Sequence, residues 1–190
     1  MPRATVVDMN RRRPFRAASI VIAAMLGVGA LAGCGPTDPS PAPTPTGFAS
    51  EEEAFAAAEA TYRAYVDALN QVDLSDPSTF EEVYRWTTGD ANAAERESLS
   101  GMHANGWTVS GTSEVTGFNP NSWDADAGTI DGIACLRVAD VMLTDRDGNS
   151  VVSTDRPDTQ SVMIVASVSP DSPTGALLSV VDGSNSEQCG

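Results

Sequence analysis

The hydrophobic pattern changes its period at Gly106, and this change limits the fold more than any other feature of the chain. Before Gly106, apolar side chains recur every three or four residues, which is typical of amphipathic helices. After it, apolar and polar residues alternate and turn residues return at short intervals, which is typical of an antiparallel meander. The sequence therefore predicts an α+β domain in which three helices precede, and pack on, a curved antiparallel sheet.

Each predicted helix has its own start and stop signals. Ser50 and Glu53 form a capping box, in which each side chain accepts a hydrogen bond from a backbone N–H at the start of the first helix. Helix starts favour Asp and Ser, and helix ends favour glycine. The second helix is predicted to start at Asp76-Pro77 and end at Gly89, and the third to start at Asp90 and end at Asn105-Gly106.

Five strands are predicted after the helices. The run 159–169 is apolar on both faces and is therefore expected in the centre of the sheet. Gly111 and Gly117 interrupt the first run and are expected to be bulges that curve the sheet. The predicted strands are 107–118, 129–144, a short 150–153, 159–169 and 176–182, with a loop over 119–128.

Charge limits the partners of the chain. It has 26 acidic residues against 11 Arg and no Lys, which gives a formal net charge of −15 at pH 7. Five of the Arg lie before Ala17, so the rest of the chain is more acidic still. An acidic surface repels phosphate, and nucleic acid is therefore not an expected partner.

The first 33 residues are predicted to be a signal peptide, because a basic stretch, 11–16, precedes the apolar run 17–32. That run is shorter than the roughly 20 residues that a membrane-spanning helix needs, which disfavours a permanent anchor helix. The pair Arg12-Arg13 partly resembles a twin-arginine export signal, but its neighbours depart from that pattern. Sec export is preferred, with the twin-arginine route left open.

The four residues Leu31-Ala32-Gly33-Cys34 resemble the bacterial lipobox. The resemblance implies that Cys34 carries acyl chains such as palmitate, becomes the first residue of the mature protein and holds it on the outer face of the cytoplasmic membrane. The alternative is a secreted protein with an unmodified Cys. Residues 35–47 are rich in Pro and Thr, which favours an extended tether. The expected organisation is a signal peptide over 1–33, a lipidated Cys and tether over 34–47, and one domain over 48–190.

Two further cysteines, Cys135 and Cys189, follow in a compartment that permits disulfides. A bond between them is predicted, and two free thiols are the alternative. Metal ligation by the pair is not expected, because no His or third Cys lies near either residue in sequence.

Three stretches, 58–90, 100–115 and 134–152, resemble the NTF2-like (SnoaL-like) superfamily, and together they span most of 48–169. The resemblance implies helices that close a cone-shaped sheet around a pocket. With its lipobox, the chain resembles lipid-anchored proteins of the actinobacterial type that carry such a domain. The superfamily includes isomerases, dehydratases and members without catalysis, so the fold does not fix the activity.

The one His of the chain is the first candidate for chemistry. His103 shares a helix face with Leu99, which would direct it towards the expected pocket as a general base. The alternative is a His at a helix C-terminus, where the helix dipole favours it. Four aromatic residues either edge that pocket or fill the core: Tyr62, Tyr65, Trp86 and Trp107.

Carboxylates are the other candidates. Asp131 and Asp140 lie within predicted strands and face either the pocket or, as strand Asp residues more often do, solvent. The acidic stretches 124–128 and 145–149 lack the glycine position and closing Glu of an EF-hand and are interpreted as turns. No metal site and no cofactor is expected.

Two function classes remain. The preferred one is a non-catalytic binding or interaction module of the cell envelope, with an unknown envelope protein or small ligand as its partner. The alternative is an isomerase or dehydratase of the SnoaL-like kind that acts on a small molecule in the pocket, with His103 and Asp131 as catalytic candidates. Binding is preferred because the sequence shows no convincing acid and base pair.

Overall fold

The computed structural model describes residues 47–189. The predicted signal peptide, the lipidation of Cys34 and nearly all of the tether lie outside the described residues, so they remain predictions. Within 47–189 no helix is both long and apolar enough to cross a membrane. Three α-helices precede six β-strands, and the strands pair antiparallel. The predicted α+β class is confirmed.

Helix α1, Glu51–Leu69, begins at the predicted capping box. Ser50 Oγ accepts a hydrogen bond from Glu53 N at 3.2 Å, and Glu53 Oε2 accepts one from Ala49 N at 2.8 Å. Backbone N–H groups at the start of the helix are thereby satisfied by side chains. The buried face of α1 combines small and aromatic residues, among them Ala54, Ala58, Tyr62, Tyr65 and Val66.

Helix α2 ends earlier than predicted. Asp76 caps a 3₁₀ turn, and α2 follows that turn over Phe80–Tyr84. The chain then leaves the helix because Leu178, in the last strand, donates to Trp86 O at 2.9 Å and accepts from Thr88 N at 2.8 Å. Trp86 O and Thr88 N are thus bonded to a distant strand and are not available for the hydrogen bonds of a longer helix.

Helix α3, Gly89–Asn105, begins two residues earlier than an N-cap at Asp90 predicts. The predicted roles of Gly89 as a stop and of Asp90 as a cap are both wrong, because Gly89 is the first helical residue and Thr88 precedes it. The end of α3 is as predicted. Gly106 has a left-handed conformation with φ of 67°, which glycine adopts without steric cost.

The strands form two sheets rather than one. Strand β1, Thr108–Ser110, pairs with β4, Met142–Thr144, and we call this pair the small sheet. The larger sheet has the order β2-β3-β5-β6, so the central place predicted for β5 is confirmed. One face of β5 is nevertheless open to solvent, since Met163 is 40% exposed. The strands of the larger sheet are β2 Glu114–Asp124, β3 Thr129–Arg137, β5 Thr159–Val168 and β6 Ala176–Ser184.

Both long predicted strands are therefore broken. The run 107–118 divides at Gly111 into β1 and β2, and the run 129–144 divides after Arg137 into β3 and β4. In each case the two pieces pair with different partners and belong to different sheets. Both pieces of each run keep a period of two, and a period of two does not show which strand each piece will pair with.

Two other strand predictions need correction. Most of the predicted loop 119–128 is strand, because β2 continues to Asp124. Pro120 is compatible with that strand because β2 lies at the edge of its sheet. The short strand predicted over 150–153 is reduced to a single bridge between Ser150 and β4. The bulge predicted at Gly117 is confirmed by a register shift between β2 and β3.

Cys135 and Cys189 form a disulfide, with their Cα atoms 5.3 Å apart, as predicted. The bond holds the final 3₁₀ turn, Glu187–Cys189, against β3 and β5. Ser161 Oγ adds a hydrogen bond to Ser186 O at 2.6 Å beside it. The turn Glu187–Cys189 is thus fixed to the centre of the larger sheet.

The core lies between the helices and one face of the larger sheet. Tyr62 and Val66 of α1 are almost completely buried there, as are Ile130, Ile164 and Leu178 of the strands. Burying an aliphatic side chain of this size contributes roughly 1.5–3 kcal/mol to stability. This packing fixes α1 and α3 on the sheet and so positions the cavity described next.

Candidate binding cavity

A cavity of about 320 Å³ lies between α1, α3 and the small sheet. Its walls come from the end of α1 and the loop after it, from one face of α3, and from β1, β4 and the turns beside them. Its volume is at the lower end of the range of small-molecule sites, roughly 300–1,000 Å³. Most of the lining is apolar and includes Leu69, Val72, Leu99, Met102, Val109 and Leu143.

Gly111 makes one wall of the cavity possible. It has φ of 79°, and a Cβ atom on it would lie 1.9 Å from Asp140 O. Only a glycine allows the backbone to approach so closely in that conformation. The turn at Gly111 frees β1 from β2 and lets β1 pair with β4, where Val109 lies opposite Leu143 in the cavity wall.

Asn70 joins the end of α1 to the same turn. Its Nδ2 donates to Ser113 O at 2.9 Å, and its Oδ1 accepts from Ser113 N at 2.8 Å. The side-chain amide thus pairs with one residue as a neighbouring strand would. Asn70 lines the cavity, but these two bonds give it a structural role.

Glu95 is the one ionisable residue among the lining residues of this cavity in the described part of the chain. Tyr65 Oη donates a hydrogen bond to Glu95 Oε1 at 2.5 Å. Burial raises the pKa of the Glu95 carboxyl, and the bond from Tyr65 opposes that shift. Burial, and then the adjacent carboxylate, raise the pKa of Tyr65 as well, so the phenol remains a neutral donor.

The nearest cation along α3 is directed elsewhere. The guanidinium of Arg96 lies 3.9 Å from the centre of the Tyr84 ring and 3.9 Å from Glu81. No ion pair found within 47–189 includes Glu95. The half-buried Glu95 carboxyl therefore lines the cavity with Tyr65, a neutral group, as its hydrogen-bond partner.

Glu95 was not among the site residues predicted from the sequence, although the pattern contains a signal for it. It lies four residues after Ala91 and four before Leu99, which are the buried residues of α3, and seven before Met102. It therefore interrupts the apolar stripe of the helix. A carboxyl group in such a stripe is directed inward, where it must find a partner.

The four aromatic residues predicted to edge a pocket do not line this cavity. Tyr62 and Tyr65 are buried in the core, with ring centres 5.9 Å apart. Trp86 and Trp107 are half-buried and pack against the same core. Tyr65 is nevertheless linked to the cavity, because its hydroxyl donates a hydrogen bond to Glu95, which is a lining residue. Of the two interpretations of these aromatic residues, the structure supports the one in which they fill the core rather than edge the pocket.

His103 lies at the exposed end of α3. Its Nδ1 is 2.7 Å from Leu74 O, and its ring meets Phe80 edge-on with the centres 6.4 Å apart. His103 is therefore a residue of the last turn of α3, as in the second of its two interpretations, and not a group directed into the pocket. His103 does not line the cavity, although Leu74 does.

The two candidate carboxylates share no hydrogen bond with His103. Asp131 lies in β3, as predicted, whereas Asp140 lies in the turn between β3 and β4 and not in a strand. Asp131 accepts hydrogen bonds from Asn121 Nδ2 at 2.7 Å and from Ser122 Oγ, and it lines a separate cavity of about 220 Å³. Asp140 is exposed and pairs with Arg137 at 2.7 Å. His103 and Asp131 share no hydrogen-bond partner, and neither belongs to the larger cavity.

Both acidic stretches are turns. Asp145 Oδ1 accepts from Asp147 N at 2.9 Å and from Asn149 N at 2.8 Å, and Gly148 has φ of 83°. Asp124 Oδ1 likewise accepts two backbone N–H groups. Within 47–189 no group of three or more His, Cys, Asp or Glu side chains is arranged to hold a metal ion.

No family model matches the chain, and no curated protein does. Among solved structures, a proposed aromatic ring hydroxylase from Novosphingobium aromaticivorans is 16% identical over 71% of this chain and 96% of its own, with a TM-score of 0.48. The VirB8 protein of Agrobacterium tumefaciens is 11% identical over 73% and 96%, with a TM-score of 0.40. An NTF2-like protein of unknown function from Exiguobacterium is 12% identical over 66% and 99%, with a TM-score of 0.39. Likenesses of this size give no basis for an activity, a ligand or a partner.

Proposed function

We propose that the chain is a lipid-anchored protein of the cell envelope whose domain binds a small ligand in the cavity between α1, α3 and the small sheet. The observation that carries the binding proposal is the cavity itself, about 320 Å³ in volume, with mostly apolar walls and one carboxyl group, that of Glu95. Small-molecule sites have this composition, because apolar walls supply affinity and a few polar groups fix the orientation of the ligand.

Two features support a location outside the cytoplasm. The apolar leader ends in Leu-Ala-Gly-Cys, and acyl chains on Cys34 would hold the protein on the outer face of the membrane. The Cys135–Cys189 disulfide fits an oxidising compartment. We propose that 34–47 are the lipidated Cys and its tether and that the domain follows from 48. An extended tether of this length reaches roughly 40 Å and separates an acidic domain from anionic headgroups.

Binding is favoured over catalysis by the surroundings of Glu95. General acid–base catalysis needs groups within hydrogen-bond reach of the atoms that exchange protons. Within 47–189, Glu95 has no second titratable residue beside it in the cavity lining. His103 is held at Leu74 O, and Asp131 lies in the other cavity. The cavity therefore offers a ligand one acid–base group rather than a pair.

A second function, an isomerase or dehydratase that acts on a small molecule, has one observation in its favour. Burial raises the pKa of Glu95, and a carboxyl group with a raised pKa exchanges protons more readily near neutral pH. In that case Glu95 is the acid–base group and Tyr65 its positioning residue. Turnover that is lost in Glu95→Gln and kept in His103→Ala would establish this alternative.

The binding proposal is tested by closing the cavity. Ser98 and Ala94 are both exposed on α3, but Ser98 lines the cavity and Ala94 does not. Phenylethanol is titrated into the full chain while the methyl NMR signal of Met102, a lining residue, is followed. A saturable shift is expected in the wild type and in Ala94→Trp but not in Ser98→Trp. Equal shifts in the two variants would contradict the proposal.

A further inference from the structure

The fold uses one of the two oxygens of the Glu95 carboxyl. Tyr65 donates to Oε1, whereas no side chain or backbone group among residues 47–189 donates to Oε2, which is open to the cavity rather than a buried atom without a partner. Oε2 is therefore available to a group inside the cavity. A half-buried carboxylate is costly unless it is paired and hydrogen-bonded. A ligand that brings a positive charge to Oε2 removes that cost.

The protein supplies no such charge in the part that the structure describes. Arg96 follows Glu95 directly but lies over the Tyr84 ring. Arg63, on α1, pairs with Glu59 at 2.7 Å and donates to Val115 O. The whole chain contains no Lys. The positive partner of Glu95 is thus left to the ligand.

The charge of the domain acts in the same direction. Residues 47–189 contain 24 acidic side chains and 6 Arg. The field of such an excess raises the local concentration of cations and lowers that of anions. The field at long range and the carboxyl group in the cavity therefore select the same sign of ligand.

The other walls of the cavity determine the size and the polarity of the uncharged part of the ligand. Away from Glu95 the lining is largely aliphatic, with Val109 and Leu143 on the small sheet and Leu69 and Val72 beside α1. The volume corresponds to that of about ten water molecules in the liquid. An apolar group such as a phenyl ring or a short alkyl chain fits this space and displaces water from apolar walls.

We infer that the cavity takes a small hydrophobic amine, with the ammonium group paired to Glu95 and the apolar body against the aliphatic walls. The inference rests on the proposed binding function and adds the chemical class of the ligand. Tyr65 then acts as a positioning residue, because its hydroxyl holds Oε1 and leaves Oε2 for the ammonium group.

Three probes of similar size and different charge test this inference. Phenethylamine, phenylethanol and phenylpropanoate are titrated into the full chain by calorimetry at neutral pH. The amine is expected to bind at least about tenfold more tightly than the alcohol, and the acid most weakly, because charge-assisted hydrogen bonds exceed neutral ones. Glu95→Gln is expected to lower the affinity for the amine to that for the alcohol.

Glu97→Gln is the matched control, because Glu97 is exposed on the same helix and its loss changes the net charge equally. Its affinity for the amine is expected within about twofold of wild type, since exposed charges are screened by water and salt. Equal affinities for all three probes, or equal losses in the two variants, would overturn the inference and leave the binding function intact. Failure of every probe to bind the wild type would overturn both. If Glu95→Gln does not fold, the affinities of the three probes for the wild type still test whether the cavity prefers an amine.

Discussion

Removal of the Cys135–Cys189 disulfide tests how strongly the domain depends on its C-terminal crosslink. The bond joins residues that are 54 apart in sequence. A crosslink over a loop of this length restricts the unfolded chain by about 4 kcal/mol in the loop-entropy model. The described domain has 143 residues, and at about 2.1 cal/mol/K per residue its entropy of unfolding is about 0.3 kcal/mol/K. The expected loss in Tm is therefore about 14 °C.

Thermal unfolding followed by circular dichroism measures this loss. The full chain with Cys135→Ala and Cys189→Ala is compared with the wild type, each with and without reductant. Reductant is expected to lower the Tm of the wild type to that of the double variant and to leave the double variant unchanged. The urea m-value is expected to rise on removal of the bond, because an uncrosslinked unfolded chain exposes more surface.

The result that refutes this reasoning is a small change. A double variant whose Tm lies within about 3 °C of wild type would show that the final turn opens locally, while the rest of the domain unfolds independently of it. A large loss of Tm with an unchanged m-value would place the effect in the native packing of Cys135, which is 7% exposed, rather than in the unfolded chain.

Three further predictions concern the anchor, the cavity and its wall. Cys34→Ser is expected to prevent acylation and either to release the protein from membranes or to trap its uncleaved precursor, as intact mass and fractionation will show; an acylated variant would contradict it. Glu95→Gln is expected to raise Tm at pH 8 but not at pH 3. The pKa of Glu95 is raised in the folded state, so the stability contributed by the protonated carboxyl is complete below its unfolded pKa and is lost as pH rises through the folded pKa. Glu97→Gln, at an exposed position of the same helix, is the control and is expected to change Tm little. Gly111→Ala is expected to cost at least about 2 kcal/mol, or about 7 °C in Tm, through strain at positive φ and the clash with Asp140 O. Gly101→Ala, in α3 with open space around it, should instead stabilise by up to about 1 kcal/mol, and a similar loss at both glycines would disprove the steric argument.

The sequence alone determined those features that depend on residues a few positions apart. The cap at Ser50, the stop at Gly106 and the turn at Gly148 follow from local backbone chemistry, and all three are present in the structure. The α+β class follows from the change of period at Gly106. The disulfide was predicted from the two cysteines that remain if Cys34 is lipidated and the predicted leader exports the chain.

The tertiary structure decided which segments meet. Backbone pairing with Leu178 ended α2, and the close approach at Gly111 divided one predicted strand between two sheets. The same packing of α1, α3 and the small sheet formed the cavity and brought Tyr65 to Glu95 across 30 residues of sequence. A local pattern shows that a side chain is directed inward, as the apolar stripe of α3 does for Glu95. It does not show what that side chain will contact, because contacts between distant segments are set by the packing of the whole domain.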